Sequence, residues 1–412
     1  MSAVGGTMQV SFDDVLNATK VLEGNVKHTP TVRAEKLGKK LGCDLYLKLE
    51  CLQLTSSFKA RGAHLAIKNA TTRNPGKGLI AMSAGNHAQA VAYNAERFGI
   101  PAVIVMPEQA PFSKVVRTKD YGAEVILRGR TLNETTNFVQ DIAKERDLLL
   151  IHPYDNSDVI SGQGTVGVEF INSVSDIDIL LVPVGGGGLI SGVSLAVKEL
   201  NPKVKIIGVE TRLYPSMFNI RKKTELPCFG DTIADGIAVK SPGSLNVSII
   251  EKKVDDIILV DEISIEKSIS DLFEDERIIS EGAGAAGIAA IKENKEFFLN
   301  KKVGTIICGG NIDSRIFAGI LNRQLSRDGK IARIRVGITD EPGMLAKISM
   351  LISKSGGNII EIFHQRMFHD VPVKKAKIDA VIEAQSAHSI TEIIGALKAS
   401  GFPVLRITEN SE

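Results

Sequence analysis

Tryptophan is absent, and aromatic residues make up only 5% of the 412 positions. That scarcity disfavours both base-stacking platforms for nucleic acid and the aromatic belts of membrane proteins. An excess of one charge is also missing. The 50 Lys and Arg residues against 48 Asp and Glu leave a net charge of +2, so nucleic acid is not the expected partner. No apolar run approaches the ~20 residues that cross a bilayer. The opening MSAVGGTMQV has neither the basic nor the apolar stretch of an export signal. Cysteine is sparse as well: Cys43, Cys51, Cys228 and Cys308 show no CxxC or CxxH spacing, which points to reduced thiols in a cytoplasm. Short-period repeats are lacking, which excludes solenoids and propellers. What is present, 43% hydrophobic and 24% charged residues, is the composition of a folded protein. At roughly 100–200 residues per domain, the length predicts two to four domains.

From Leu79 onward, short apolar runs alternate with helical patterns. Leu79 to Met82 precedes a helix with Ala88, Val91, Ala92, Ala95 and Phe98 on one face. Ala102 to Met106, Glu124 to Leu127 and Leu148 to Ile151 follow, each separated from the next by a helix. The same grammar resumes at Ile177 to Val184, continues through a helix at Leu189 to Leu200 and Val204 to Val209, and closes with Val303 to Cys308. Apolar strands separated by amphipathic helices predict an α/β fold around parallel sheets. Two wound modules are expected within residues 1–325, a small one near 52–155 inserted in a larger one. A polar linker at 326–330 then leads into a different pattern over 331–412. There Ile334, Val336 and Ile338 alternate with Arg333, Arg335 and Gly337, and a helix carries Leu345, Ile348, Leu351 and Ile352 up to Gly356 and Gly357. Two further strands, a helix with Ile390, Ile393, Ile394 and Leu397, and Pro403 to Ile407 complete a ferredoxin-like β-α-β-β-α-β order.

Four segments can carry chemistry. In Ser56-Ser57-Phe58-Lys59-Ala60-Arg61-Gly62, an amine crowded by an aromatic ring and small residues has its pKa lowered toward the useful range of about 7–8, although a surface lysine at a helix start reads the same way. Ser83-Ala84-Gly85-Asn86-His87 lies between a strand and a helix, where backbone N–H groups bind anions. It is equally a plain turn with Asn86 as N-cap and His87 as a structural histidine. Gly185-Gly186-Gly187-Gly188-Leu189 lets a backbone close on one anion, most naturally a phosphate. The G-x-G-x-x-G spacing fails at Ile190 and Ser191, and no GK[ST] follows. Glu210, about twenty residues on, keeps an NAD-dependent oxidoreductase open as an alternative. Cys308-Gly309-Gly310-Asn311 places a thiol with no neighbouring cation in sequence to lower its pKa, so it reads as a neutral hydrogen-bond partner. Two anion sites and a lysine at the carboxyl ends of parallel strands suit a phosphate-bearing aldehyde acting on an amino acid, which is pyridoxal 5′-phosphate.

SFKARGA, SAGNHAQ, GGGGL and CGGN, in that order, resemble the threonine dehydratases (threonine ammonia-lyases) of the β-family, fold type II, of pyridoxal-phosphate enzymes. The resemblance covers residues 10–325 and implies a tryptophan synthase β-like arrangement of the two modules. It implies that Lys59 holds the cofactor, with Phe58 packed near the ring and Asn86 on the ring's 3′-oxygen. By the same likeness Gly185, Gly186, Gly187, Gly188 and Leu189 cradle the phosphate, Gly236 lies beside the cofactor, and Cys308 faces the pyridine nitrogen. Ser83, Ala84, Gly85, Asn86 and His87 grip the substrate carboxylate. The implied reaction eliminates water from L-threonine to give 2-oxobutanoate and ammonia, and pyruvate from L-serine, as in isoleucine biosynthesis. A serine dehydratase or racemase is the near alternative. Related racemases carry a serine where this chain has Ala84, whose methyl group cannot move a proton. Glu210 resembles a cation-binding position of some relatives, but Tyr214 and Ser216 add no second carboxylate, so no metal is expected.

The tail resembles an ACT domain through Asp340-Glu341-Pro342-Gly343-Met344-Leu345, Gly356-Gly357-Asn358-Ile359-Ile360 and His364-Gln365-Arg366. That likeness implies an amino-acid effector, isoleucine or valine, and allosteric control. Because one copy is present, it also implies a homodimer or homotetramer.

Overall fold

The computed structural model describes residues 10–129, 132–365 and 374–407. The chain divides into two units, one ending at Asp313 and the other beginning at Ser314. Among the described residues, no helix is long and apolar enough to cross a membrane.

In the first unit, apolar runs become central strands because both of their faces are covered: every residue of Ala102–Met106 and Ile179–Pro183 is buried. The smaller sheet has the order Glu124–Leu127, Ala102–Met106, Leu79–Met82, Leu149–Leu150, all parallel. The larger has the order Thr31–Arg33, Asp44–Lys48, Lys302–Ile306, Ile179–Pro183, Lys205–Thr211, Asp256–Val260, parallel except for its first pair. Three of these strands go beyond the sequence reading. Thr31–Arg33 and Asp44–Lys48 are short and rich in polar residues, and they gain their strand character by pairing with each other and with Lys302–Ile306. Asp256–Val260 is an apolar run that the alternation leaves out. On the helix Asn86–Phe98, four residues of the expected face are buried, while Phe98 at the last turn is 37% exposed and stands beside the His64 ring.

The helix Lys59–Arg73 packs against both Asn86–Phe98 and Ser157–Ser173. A Cβ added to Gly162 would sit 2.7 Å from Gly62 Cα, so the glycine after Arg61 is what lets these helices cross closely. The start of Lys59–Arg73 is further pinned by a buried ionic cluster. Arg61 donates to both oxygens of Glu50 (2.7 and 2.8 Å) and both of Glu169 (2.6 and 2.9 Å), and Lys48 reaches Glu169 and the Thr29 carbonyl. Broken by removing one partner, such a cluster leaves an uncompensated buried charge, a cost of about 3–5 kcal/mol.

The second unit is a four-stranded antiparallel sheet, Asn358–Gln365, Lys375–Glu383, Ile331–Thr339, Val404–Ile407, with helices Met344–Lys354 and Ala387–Ala399. The helix Ser314–Arg327 precedes it, and a short turn joins that helix to Ile331. Period-two patterning sets the register: Ala332, Ile334, Val336 and Ile338 are buried and meet Ile348, Ile352, Ile390, Ile393 and Leu397 from the helices. Leu345 departs from the expected stripe and is 38% exposed, because it sits in the helix's first turn, off the sheet. Arg366 lies outside the described residues.

Candidate active site

Parallel strands deliver their following loops to one edge of each sheet. Leu79–Met82 leads into Ser83–Asn86, Leu149–Leu150 into His152–Asp155, Ile179–Pro183 into the glycine turn, and Lys302–Ile306 into Cys308–Asn311. The Lys59 segment is sewn to the last of these. Phe58 N–H donates to the Cys308 carbonyl (3.1 Å), Gly310 N–H donates to the Ser56 carbonyl (2.9 Å), and Ser57 bridges Gly309. Thr55 and Ser56 just before it both hold positive φ (56° and 55°), backbone strain placed within four residues of the amine.

The Lys59 ammonium donates to the Pro153 carbonyl at 2.7 Å and lies 5.2 Å from the centre of the Phe58 ring. Burial lowers its pKa to about 8, against the opposing pull of Cys308 and Glu281. The amine therefore exchanges a proton close to neutral pH, as a catalytic base requires.

Two turns around it present N–H groups. From Gly185 to Leu189, none of the backbone N–H groups has a protein partner among the described residues. Glycine is required here by contact: a Cβ on Gly186 would fall 2.2–2.4 Å from the Tyr154 ring, and Gly187 has φ +95°. Tyr154 is in turn fixed by its hydroxyl, which donates to the Ser241 carbonyl (3.0 Å). Asn246 donates to the Tyr154 and Gly186 carbonyls. Opposite, the N–H groups of Ala84, Asn86 and His87 are likewise without partners, and Ser83 Oγ accepts from Gly85 N–H (3.1 Å). Gly85, not Asn86, is the N-cap of the helix that starts at Asn86. The Asn86 side chain is engaged elsewhere, which is why it cannot cap. His87 is buried, and its Nε2 donates to the Ile151 carbonyl at 2.9 Å. Burial takes the ring's pKa down to about 3, so the imidazole is neutral and the backbone N–H is the donor His87 has left to offer an anion.

Glu281, in Ser280-Glu281-Gly282-Ala283, has no part in the sequence reading, yet it lies at the centre of the site. It accepts from Asn86 Nδ2 at 2.7 Å, and its N–H donates to the Gly309 carbonyl. A Cβ on Gly309 would strike its Oε1 at 2.3 Å, and Gly236 leaves it room on another side. Burial raises its pKa to about 7, with Asp235 adding to the shift. Cys308 is buried, and desolvation together with Glu281 pushes its thiol well above the usual range, so it is neutral. A lone Glu flanked by small residues carries no local signal, and the only clue is that these small residues leave space for it.

Glu210 is fully buried, and it accepts from Ser216 Oγ (3.2 Å), Met217 N–H (2.9 Å) and Phe218 N–H (2.8 Å). Those donors occupy the carboxylate that a ribose would need, which removes the support for a dinucleotide. Among the described residues, no group of three His, Cys, Asp or Glu residues could hold a metal ion.

Two turns whose backbone N–H groups lack partners among the described residues, together with a lysine of lowered pKa, suit a cofactor carrying a phosphate and an aldehyde, on a fold of two parallel-sheet modules. That defines a class of cofactor-dependent enzymes acting on amino acids. Residues 22–309 match the family described as pyridoxal-phosphate dependent enzyme, and the chain belongs to it; its cofactor is pyridoxal 5′-phosphate. The chain is similar to an L-threonine ammonia-lyase of Thermotoga maritima, 40% identical over 397 residues, covering 96% of this chain and 99% of the relative. Among solved structures, the processed form of threonine deaminase isoform 2 from Solanum lycopersicum is 33% identical with a TM-score of 0.72, covering 78% of this chain and 90% of that one. Maize serine racemase is also 33% identical with a TM-score of 0.72, covering 77% and 98%.

Proposed function

We propose that the protein is an L-threonine ammonia-lyase. It expels the β-hydroxyl of L-threonine and releases 2-oxobutanoate and ammonia, and it also converts L-serine to pyruvate. The observation that carries this reading is the Lys59 amine, buried enough to titrate near 8 and set between two turns of unpartnered N–H groups. A relative of that name matching 96% of the chain supports the choice of substrate.

When bound, pyridoxal phosphate supplies the electron sink that makes an amino acid's Cα–H acidic. The N–H groups of Gly185 to Leu189 would hold its phosphate, at the start of the helix Gly188–Leu200, where the helix dipole favours an anion. Ser83 Oγ and the N–H groups of Ala84, Asn86 and His87 orient the substrate carboxylate. Lys59 takes the Cα proton. Phe58 and Tyr154 narrow the space around it, and Gly236 with Glu281 closes another side. The buried thiol of Cys308 stays protonated and would bring no charge to the cofactor's pyridine nitrogen, which would favour loss of the β-hydroxyl as the way to relieve charge on the substrate. Ala84 has no proton to exchange at the position that racemases use, and D-serine should form far more slowly than pyruvate.

The second unit is read as an ACT domain that binds isoleucine or valine in a cytoplasmic homodimer or homotetramer. Its β-α-β-β-α-β order and the Asp340–Leu345 turn between first strand and first helix support this. Steady-state release of 2-oxo acid from each substrate, with and without these effectors, tests the reading. A purified protein that forms no visible absorption band with pyridoxal phosphate, or releases no 2-oxo acid from L-threonine, overturns it.

A further inference from the structure

We infer that Asn311 is a positioning residue that locks the Asn86 side chain in the orientation presenting N–H, and so makes Asn86 a donor to the cofactor; this rests on the function proposed above. An amide has a donor end and an acceptor end of nearly equal size, so something must choose between them. The choice starts at the Thr55 carbonyl. A carbonyl only accepts, and Asn311 approaches it at 2.7 Å, so the end of Asn311 facing it is Nδ2. The same nitrogen lies 2.8 Å from Asn86, which must therefore turn its Oδ1 toward Asn311. Asn86 Nδ2 is left pointing at Glu281, 2.7 Å away. One of its two N–H bonds goes to that carboxylate, and the other is free for an acceptor oxygen in the site.

Asn311 is held from its other end too. Arg117 donates to its Oδ1 at 3.4 Å. Oδ1 and Nδ2 thus both have partners that admit one orientation of the amide. The assignment also gives the Thr55–Ser56 strain a use, because the positive φ at Thr55 belongs to the turn that aims this carbonyl.

The test is the affinity of the full-length protein for pyridoxal phosphate, read from its visible absorption band, in Asn311→Asp and Asn311→Ala. Aspartate cannot donate to Thr55 or to Asn86, and it favours the flipped amide. The expected result is a Kd raised about tenfold or more for Asn311→Asp, with a smaller rise for Asn311→Ala, because Glu281 alone still favours the donor end. The band should also change position or pH profile in Asn311→Asp. In an Asn86→Ala background, Asn311→Asp should add less than about twofold, since the group it acts through is gone. Thermal melts establish that each variant is folded, and Asn311→Ala serves if the aspartate variant is not. An unchanged Kd and band in both folded variants overturns the inference, and so does a loss of the same size in the Asn86→Ala background. If the unaltered protein forms no band that depends on Lys59, the functional reading itself fails, which is a separate outcome.

Discussion

The two units treat buried charge in opposite ways. Around Lys59, burial is the largest influence on each group: it lowers the amine to about 8, raises Glu281 to about 7 and lowers His87 to about 3. In the second unit the buried carboxylate of Asp379 accepts from Arg335 at 2.7 and 2.8 Å and from Arg333 at 3.2 Å, and Arg335 holds it below the usual carboxylate range. Backbone strain divides the same way. Among the described residues, every positive φ after Asp313 belongs to a glycine, while the first unit places six other residues there, Thr55 and Ser56 beside the amine and Asp147, Lys223, Arg277 and Asn300 elsewhere. The contrast is local rather than a property of whole units, for Arg61, two residues from Lys59, is as fully paired as Asp379. Ionisable groups buried without a paired opposite charge mark where proton chemistry occurs, and ion-paired ones mark architecture.

Lys59→Ala attacks that contrast hardest. It should lower kcat/KM for L-threonine by at least about 10³-fold, measured as 2-oxo acid release, while leaving the melting temperature within a few degrees. Activity kept within tenfold would mean that the Lys59 amine is not the base. Protonation linkage gives the next largest effect. Glu281 has a raised pKa, so its contribution to stability is full below about 4.5 and is lost as pH rises through about 7. Replacing it by Gln should remove a pH dependence on the order of 3 kcal/mol across that window. Asp379 has the opposite sign: its lowered pKa adds stability above the ordinary value near 3.8, which is lost as pH falls through the lowered one. Urea denaturation of Glu281→Gln between pH 4 and 8 and of Asp379→Asn between pH 1.5 and 5 checks both, and slopes of the same sign would break the comparison.

Glycines sharpen it at a smaller scale. Gly186→Ala drives a methyl group into the Tyr154 ring and should weaken pyridoxal phosphate binding by about 10–100-fold, or roughly 1.4–2.8 kcal/mol. Gly395, in the helix Ala387–Ala399, has nothing within 4 Å of an added Cβ. Gly395→Ala should raise stability by about 0.5–1 kcal/mol and leave cofactor binding alone. Equal behaviour of the two in titrations and melts would mean that the glycine turn has no special role.

The parts legible in the sequence are those whose cause is local. Central strands announce themselves because burial on both faces demands unbroken apolar runs, and Gly185 to Gly188 because four adjacent glycines have little use other than close approach. Lys59 is ambiguous from Phe58 and the small residues near it, and becomes legible only together with the SAGNHAQ, GGGGL and CGGN motifs. What stays hidden depends on distant chain. Glu281 meets Asn86 across 195 positions, Lys59 finds the Pro153 carbonyl across 94, and the role of Asn86 as first helical residue rather than cap follows from those remote partners. Glu210 misleads for the same reason: its spacing from the glycine turn fits a ribose partner, but the donors of Ser216, Met217 and Phe218 already occupy it.

Ser56→Gly carries the smallest expected effect and asks whether the strain beside Lys59 matters in itself. An L-residue held in the left-handed region costs on the order of 1–2 kcal/mol. Glycine removes that cost but brings a more flexible unfolded chain, a penalty of about 0.5–1 kcal/mol. The net gain should be about 0.5 kcal/mol, or about 1 °C in Tm for a unit of this size. The bond from Gly310 N–H to the carbonyl of residue 56 is made by backbone and survives the change. The substitution gives this position the residue type found at every described positive φ of the second unit. The expected outcome is a slightly higher Tm with an unchanged Kd for pyridoxal phosphate, because Thr55 still aims its carbonyl at Asn311. A Kd raised severalfold at an unchanged or higher Tm would show instead that rigidity at position 56 is needed to hold the amine in place.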